Sequence, residues 1–208
     1  MKGVEVLVTL LLVTGARAGV WDNIVAGFNS AFGNTEEAPY TLIKTTENYI
    51  ERLYPAKKWV CTTATGPSKE EAEETSMFMK LFRYISGQND RSESIPMTVP
   101  VTTEYTHGDS GTNTYTMCFF IGEDHQADPP KPEDETVFIE DRPALTIYTR
   151  TVGGYMRTES RWMDEAARLA GFLQDDGISV SLNHMYWVGY DAPFKFWNRR
   201  NEVWFRAN

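Results

Sequence analysis

Residues 68–87, SKEEAEETSMFMKLFRYISG, carry the pattern that decides the fold, and residues 158–177, TESRWMDEAARLAGFLQDDG, repeat it 90 positions later. Each copy opens with a hydroxyl residue that can accept a hydrogen bond from a free amide at a helix N-terminus. The hydroxyl of Ser68 and the glutamate three residues later also have the spacing of a capping box. Each copy closes with glycine, the residue that most often ends a helix. The pattern predicts one helix over residues 69–86 and a second over residues 158–176.

Runs of β-branched and aromatic residues flank both helices in the same order, which predicts strands before and after each helix. The predicted strands are at residues 40–46, 49–54, 57–65, 95–105 and 112–121 around the first helix, and at 137–141, 144–152, 184–190 and 202–206 around the second. Short identities recur in the same order, since Ile50-Glu51 and Pro55-Ala56 reappear as Ile139-Glu140 and Pro143-Ala144. We infer an internal duplication of a ββαββ unit.

The two repeats span about residues 40–121 and about residues 137–207. Neither repeat alone could cover its own sheet, so both are expected to share one sheet or barrel with one helix per half. The sequence therefore predicts a single α+β domain over residues 37–208.

The N-terminal residues 1–18 have the layout of a secretory signal peptide. Lys2 precedes an apolar run, and Ala16-Arg17-Ala18 has the form of a cleavage site. The apolar run is well short of the ~20 residues that a membrane-spanning helix needs, which leaves a short buried helix or an uncleaved anchor as alternatives. We expect a secreted, extracellular protein that starts at Gly19, with an amphipathic arm over residues 19–36.

The composition excludes several classes of partner. The chain has 20 Lys and Arg against 29 Asp and Glu, a formal net charge of −9. Binding to nucleic acid depends on Lys and Arg that neutralise phosphates, and anionic membrane surfaces attract the same residues. We therefore expect neither nucleic acid nor a membrane surface as a partner, and no membrane insertion.

Motifs of catalysis and metal binding are absent from the sequence. Its 3 His and 2 Cys do not have metal-ligand spacing, and it has no nucleophile elbow, phosphate loop or zinc-protease motif. An enzyme could use Glu202 as a buried base, but pairing with Arg199 or Arg200 beside it explains Glu202 more simply. We predict no enzymatic activity. Cys61 and Cys118 lie in predicted strands. The sequence does not decide between a disulfide and two separate buried thiols.

The first predicted helix is apolar on two sides. One face consists of Met77, Leu81, Tyr84 and Ile85. Phe78 and Phe82 form a second ridge, and Arg83 follows it directly. A helix that lies on a sheet needs one apolar stripe of about 100°. Two interpretations remain: a deeply buried helix, or a helix whose second face lines a shallow apolar site with Arg83 at its rim, paired with a carboxylate of a flat ligand.

Segments along the chain resemble the SOUL/haem-binding-protein family over about residues 40–207. They are AKKWV at 56–60, FRYISGQN at 82–89, IPMTVPV at 95–101, DPPKP at 128–132, VFIEDR at 137–142, GYDAP at 189–193 and NRRNEVW at 198–204. The resemblance is closest to the haem-binding protein 2 branch. It implies a distorted β-barrel of two pseudo-twofold ββαββ repeats with two flanking α-helices. It also implies binding of haem or another porphyrin, with no known reaction.

The resemblance also implies a binding site over the first helix. The family's site falls here on Thr75, Phe78, Phe82 and Arg83. Phe78 and Phe82 would supply apolar contact and Arg83 a cation for a propionate, while Thr75 stands where the family's first member has arginine. Leu53 stands where the other branch has a proposed axial histidine. We therefore expect weak binding of haem without an axial His ligand.

The repeat places His184 after the second helix, in the half of the domain opposite the ridge. Iron-free protoporphyrin should then bind within about tenfold of haem, because no iron–histidine bond discriminates them. The alternative function is an extracellular interaction protein with vestigial haem binding. It would use the acidic surface and residues 20–33, and the sequence does not indicate its protein partners.

Overall fold

The structure is a computed structural model that describes residues 35–72, 74–108, 110–192, 195 and 197–207. The predicted signal peptide and all but the last two residues of the predicted arm lie outside the described residues. From Thr35 onward the chain forms one compact unit. Within the described ranges, no helix has the length and apolar character needed to cross a membrane.

The described elements follow the order that the repeat predicts. The strands are β1 (Glu36–Glu37), β2 (Thr41–Thr45), β3 (Ile50–Tyr54), β4 (Lys57–Gly66), β5 (Thr98–Val99), β6 (Val101–Thr106), β7 (Asn113–Phe120), β8 (Val137–Arg142), β9 (Leu145–Val152), β10 (His184–Gly189) and β11 (Asn201–Arg206). The helices are α1 (Glu74–Ile85) and α2 (Glu159–Asp175), and a short 3₁₀ turn covers Glu123–His125.

Nine of these strands form one curled antiparallel sheet, the half-barrel, in the order β2-β3-β9-β11-β10-β6-β7-β4-β8. β6 and β10 pair at its centre, with β7 and β11 on either side. The two repeats exchange one strand each, because β3 pairs with β9 and β8 pairs with β4. The α+β prediction is confirmed, and the exchange explains why neither repeat forms the sheet alone.

One predicted strand is divided in two. The prediction joined residues 95–105, whereas the structure has β5 and β6 on either side of Pro100, which follows a cis peptide bond. β5 pairs in parallel with β1 and β6 joins the half-barrel. Proline has no backbone N–H to donate to a ladder, so the pairing changes at this residue.

Side chains of the half-barrel alternate between two faces. Both helices pack on one face, the helix face. Phe78 of α1 contacts Phe119 of β7 with ring centroids 5.2 Å apart, and Trp162 of α2 stacks on Trp187 of β10 at 5.9 Å. The opposite face, the inner face, buries a largely aromatic cluster that includes Tyr54, Trp59, Phe120, Leu145, Ile147, Tyr186, Tyr190 and Trp204.

Helix α1 begins at Glu74, which is later than the predicted start at residue 69. Ser68 Oγ accepts a hydrogen bond from the backbone N–H of Glu71 at 3.3 Å, so the predicted capping contact exists but holds a turn ahead of the helix. The backbone N–H of Lys69 donates to the Glu159 carboxylate at 2.8 Å. This long-range bond ties the turn to the first residue of α2, which a local pattern cannot show.

A disulfide joins Cys61 and Cys118. The two residues are directly opposite each other in the register of β4 and β7, and both are fully buried. The sequence left a disulfide and two separate thiols open, and the strand register decides between them.

Candidate functional site

Two stacked phenylalanines form the ridge that was predicted on α1. The rings of Phe78 and Phe82 have centroids 6.2 Å apart and planes within 12° of each other. Phe82 is 8% exposed and therefore belongs to the core, whereas Phe78 is half-buried above Phe119. The first helix thus buries its main apolar face and leaves part of the second ridge at the surface.

One cation follows this ridge directly. Arg83 is exposed, whereas the half-buried Lys80 is two residues from each phenylalanine and therefore lies on the other side of α1. Hydrogen bonds from the side chain and backbone of Thr136 hold the pKa of Asp134 below its ordinary value, and the charges of Lys80 and Arg83 act in the same direction. Sequence reasoning missed Asp134, because only the fold brings it near Arg83.

The proline-rich connection between the repeats lies against the C-terminal end of α1. The Tyr84 hydroxyl donates to the carbonyl of Pro130 at 2.8 Å, and burial raises the pKa of Tyr84 to about 12. The backbone N–H of Asp90 donates to the carbonyl of Lys131 at 2.9 Å, and the Lys131 N–H donates back to the Asp90 carboxylate at 2.7 Å. These bonds hold the connection that carries Asp134 near the two cations of α1.

Two further positions from the family resemblance, Thr75 and Leu53, lie on α1 and on β3. Thr75 lies in the first turn of α1, and its side chain is outside what the structure describes. Leu53 lies on β3 and is 36% exposed. Because side chains alternate along a strand, Leu53 points away from the inner face, where its neighbours Arg52 and Tyr54 are buried.

A second cluster of functional groups lies on the inner face, around the fully buried Glu202. Its carboxylate accepts hydrogen bonds from Arg52 at 3.0 Å, Arg200 at 2.9 Å, the Tyr190 hydroxyl at 2.8 Å and the Trp204 indole at 2.7 Å. Burial raises the pKa of Glu202, but attraction to Arg52 and Arg200 outweighs it and leaves the pKa below its ordinary value. Glu202 is therefore a charged carboxylate already surrounded by donors, which argues against its use as a base.

The pairing of Glu202 was only partly predictable. Arg200 binds it, as predicted from its position in the same strand region. Arg199 does not; its guanidinium donates at 2.7 Å to the backbone carbonyls of Ala192 and Lys195. The main partner, Arg52, lies 150 residues away in the chain, and no local signal could have identified it.

His184 occupies the predicted strand after the second helix. Its Nε2 lies 2.5 Å from Glu104 Oε1, and the Tyr186 hydroxyl donates to the same oxygen at 3.0 Å. Burial raises the pKa of Glu104, but these two hydrogen bonds outweigh it and leave the pKa lowered. His184 and Glu104 alternate onto the inner face, which is the opposite side of the sheet from Phe78.

A narrow cleft opens on the inner face beneath residues 38 and 39. Its walls are mainly aromatic and include Tyr54, Trp59, Phe120, Arg142 and Trp204. Its cavity volume is about 10 Å³. This is about the smallest volume that holds one water molecule.

Comparison with known proteins identifies clear relatives. The family model described as SOUL heme-binding protein matches residues 35–206. Heme-binding protein 1 of Xenopus tropicalis is 36% identical over 186 residues, which covers 86% of this chain and 96% of that protein. Heme-binding protein 2 of Homo sapiens is 36% identical over 159 residues, which covers 76% of this chain and 77% of that protein.

Solved structures support the fold alone. The C-terminal domain of EcmrR aligns with a TM-score of 0.53 at 13% identity, covering 81% of this chain and 98% of that chain. The alternative of an interaction protein depends on residues 20–33, which lie outside the described residues, and it stays a prediction.

Proposed function

Because the chain belongs to the SOUL heme-binding protein family, we propose that it binds haem or a related tetrapyrrole on the ridge of α1, without catalysing a reaction. The observation that carries the proposal is the stacked pair of Phe78 and Phe82, which Arg83 follows directly on α1. A flat apolar macrocycle with acidic substituents matches an apolar ridge with a cation at its rim.

The size of the inner cleft favours the ridge over the inner face. Its cavity volume of about 10 Å³ has room for about one water molecule, far less than a tetrapyrrole needs. The aromatic side chains around the cleft are also part of the core. A tetrapyrrole could therefore enter only if these packed side chains moved apart. The surface of α1 carries no such restriction.

Arg83 gives one end of the ridge a positive charge. It would attract one propionate, whereas Thr75 supplies no second cation at the position where the resemblance implies an arginine. Asp134 opposes this attraction because its carboxylate is held negative near Arg83. The proposed binding is therefore weak at the propionate end and rests mainly on apolar contact.

Iron ligation by histidine is not part of the proposal. Each histidine already has a partner: His107 Nδ1 lies 3.0 Å from Asn113 Oδ1, and His125 Nε2 lies 3.0 Å from a Glu93 oxygen. His184 is held by Glu104 on the opposite sheet face. The chain's residues would therefore bind and orient the macrocycle rather than its metal.

Titration with haemin and with protoporphyrin IX tests the proposal. We expect spectral change and fluorescence quenching for both ligands, with affinities within about tenfold of each other. Phe78→Asp should weaken both by at least about tenfold, because it places a charge in the apolar contact. Phe172→Asp is the matched control, since Phe172 is a half-buried phenylalanine on α2.

The charge variants test the orientation. Arg83→Glu should weaken binding and Asp134→Asn should strengthen it, while Asp164→Asn on the exposed side of α2 should do neither. The absence of any signal up to ~10 μM ligand would contradict the proposal. Equal losses in Phe78→Asp and Phe172→Asp would place the ligand elsewhere.

We further propose that the protein is secreted after cleavage behind Ala18. The support is the signal-peptide layout of residues 1–18. Expression of the full chain in secretory cells tests it, with N-terminal sequencing of the released protein. A released chain should start at Gly19, and a chain retained in the cell with its N-terminus intact would contradict the proposal.

A further inference from the structure

Three potential metal ligands meet on the inner face, away from the proposed ridge. They are the sulfurs of Cys61 and Cys118 and one carboxylate oxygen of Glu140, all within 4.8 Å of one another. Glu140 Oε2 lies 3.3 Å from Cys61 Sγ and 3.8 Å from Cys118 Sγ. This contact has no role in the disulfide itself, because a disulfide sulfur has no proton to donate.

Strand register brings the three side chains together. Cys61 on β4 is directly opposite Cys118 on β7, and Trp59, two residues before Cys61, is opposite Glu140 on β8. Side chains two residues apart on a strand share a face, so all three point to the inner face. The sulfurs are fully buried, whereas the Glu140 side chain is 32% exposed and forms the solvent side of the cluster.

We propose that, once the disulfide is reduced, Cys61, Cys118 and Glu140 bind one thiophilic divalent cation such as Zn²⁺. Reduction by a dithiol or a phosphine supplies two electrons, breaks the S–S bond and adds a proton to each sulfur. Binding of the cation then releases these two protons to solvent and leaves two thiolates as ligands.

The carboxylate is already at a suitable distance from both sulfurs. In a tetrahedral site with Zn–S near 2.3 Å and Zn–O near 2.0 Å, a sulfur and an oxygen ligand are about 3.5 Å apart. The observed separations of 3.3 Å and 3.8 Å lie on either side of this value. Only the two sulfurs have to separate, to about 3.8 Å, which the cysteine side chains can achieve by rotation.

The charges of the site also balance. Arg142 is buried and donates to Glu140 Oε2 from Nε at 3.1 Å and from Nη2 at 2.9 Å. In the oxidised protein Glu140 and Arg142 cancel each other. In the metal form, two thiolates and one carboxylate are balanced by the divalent cation and the guanidinium, so the buried net charge stays zero. Thiolate ligands favour zinc-like cations over magnesium or calcium.

Titration with Cd²⁺ alone tests the site, because a thiolate–cadmium bond gives an ultraviolet charge-transfer band. The chain is reduced with a phosphine, freed of reductant under anaerobic conditions and compared with the oxidised chain. We expect a band that saturates at one Cd²⁺ per reduced chain and no band from the oxidised chain. Cys61→Ser should remove the band.

Glu140→Gln should weaken Cd²⁺ binding at least about tenfold, with Asp141→Asn on the opposite face of β8 as the matched control. Binding that requires the cysteines but is unchanged in Glu140→Gln would overturn the proposal. A reduced chain that has lost its fold would overturn the proposal as well, because free thiolates in an unfolded chain bind without Glu140; near-UV circular dichroism detects that loss. Equal binding by the oxidised chain would also overturn the proposal.

Discussion

Replacement of the buried carboxylate of Glu202 by an amide should destabilise the fold strongly. Glu202→Gln keeps the size of the side chain but removes the charge that compensates Arg52, which is 4% exposed, and Arg200. The amide NH₂ also replaces an acceptor with a donor in a site where the neighbours are donors, among them the Tyr190 hydroxyl and the Trp204 indole.

The magnitude follows from the burial of the pair. Loss of one partner from a buried ion pair typically costs about 3–5 kcal/mol of unfolding free energy. For a domain of this size, each kcal/mol lowers the melting temperature by about 2–4 °C, so the expected decrease is about 6–20 °C. Thermal and denaturant unfolding of both proteins at neutral pH measure this change. Glu51→Gln is the matched control, since Glu51 is only half-buried on the other face of β3, and it should change stability by less than about 0.5 kcal/mol.

The pH dependence gives the refuting result. The folded protein lowers the pKa of Glu202 because Arg52 and Arg200 favour the charged form more than burial opposes it. A carboxylate whose pKa is lowered on folding stabilises the fold at pH values above its unfolded pKa of about 4.3. This stabilisation is lost as the pH falls through its folded pKa. The difference between the wild type and Glu202→Gln should therefore shrink below about pH 4. A difference that is small at pH 7, or that is unchanged at pH 3, would refute this account of the buried cluster.

Three further outcomes are expected. His184→Ala should leave the affinity for haemin unchanged within about twofold, because His184 lies on the inner face; spectroscopic titration measures this. Glu159→Gln should lower the unfolding free energy by about 1–3 kcal/mol in denaturant titration, because the Glu159 carboxylate accepts a hydrogen bond from the buried Tyr115 hydroxyl at 2.7 Å. Replacement of Cys61 and Cys118 by alanine should cost about 4 kcal/mol by the same measurement, because the bond closes a loop with a sequence separation of 57.

Each of these outcomes has a contrary result. A six-coordinate haem spectrum that collapses in His184→Ala would place the ligand on the inner face instead of the ridge. Asp164→Asn on the exposed side of α2 is the control for Glu159→Gln. Equal losses of unfolding free energy in the two variants would show that the hydrogen bond between Tyr115 and Glu159 does not stabilise the fold. A double alanine variant as stable as the wild type would show that the disulfide does not constrain the unfolded chain.

Local patterns predicted the elements well and their ends less well. The second helix was predicted over residues 158–176 and is observed as Glu159–Asp175. The first was predicted to start at residue 69 and starts at Glu74, because the capping contact of Ser68 was identified correctly but assigned to the helix instead of to the turn before it. A hydrogen-bonding pattern in sequence identifies the contact and does not say which segment uses it.

The candidate site was also predictable only in part. The ridge could be identified from the helical spacing of Phe78 and Phe82 and from the family resemblance. The exposure of each ring could not be predicted, because it depends on Phe119 from a distant strand. The sulfur and carboxylate cluster escaped sequence reasoning altogether, since Glu140 belongs to the second repeat and both cysteines to the first.

The sequence by itself predicted a duplication and determined the order of strands and helices and the family, because each depends on residue types at short, regular spacing. The tertiary structure alone decided the exchange of β3 and β8 between the repeats, the face on which each side chain lies and the pairing of Glu202 with Arg52. Strand register explains the difference. A shift of one residue moves every side chain of a strand to the other face, and register is set by pairing between strands that lie far apart in the chain.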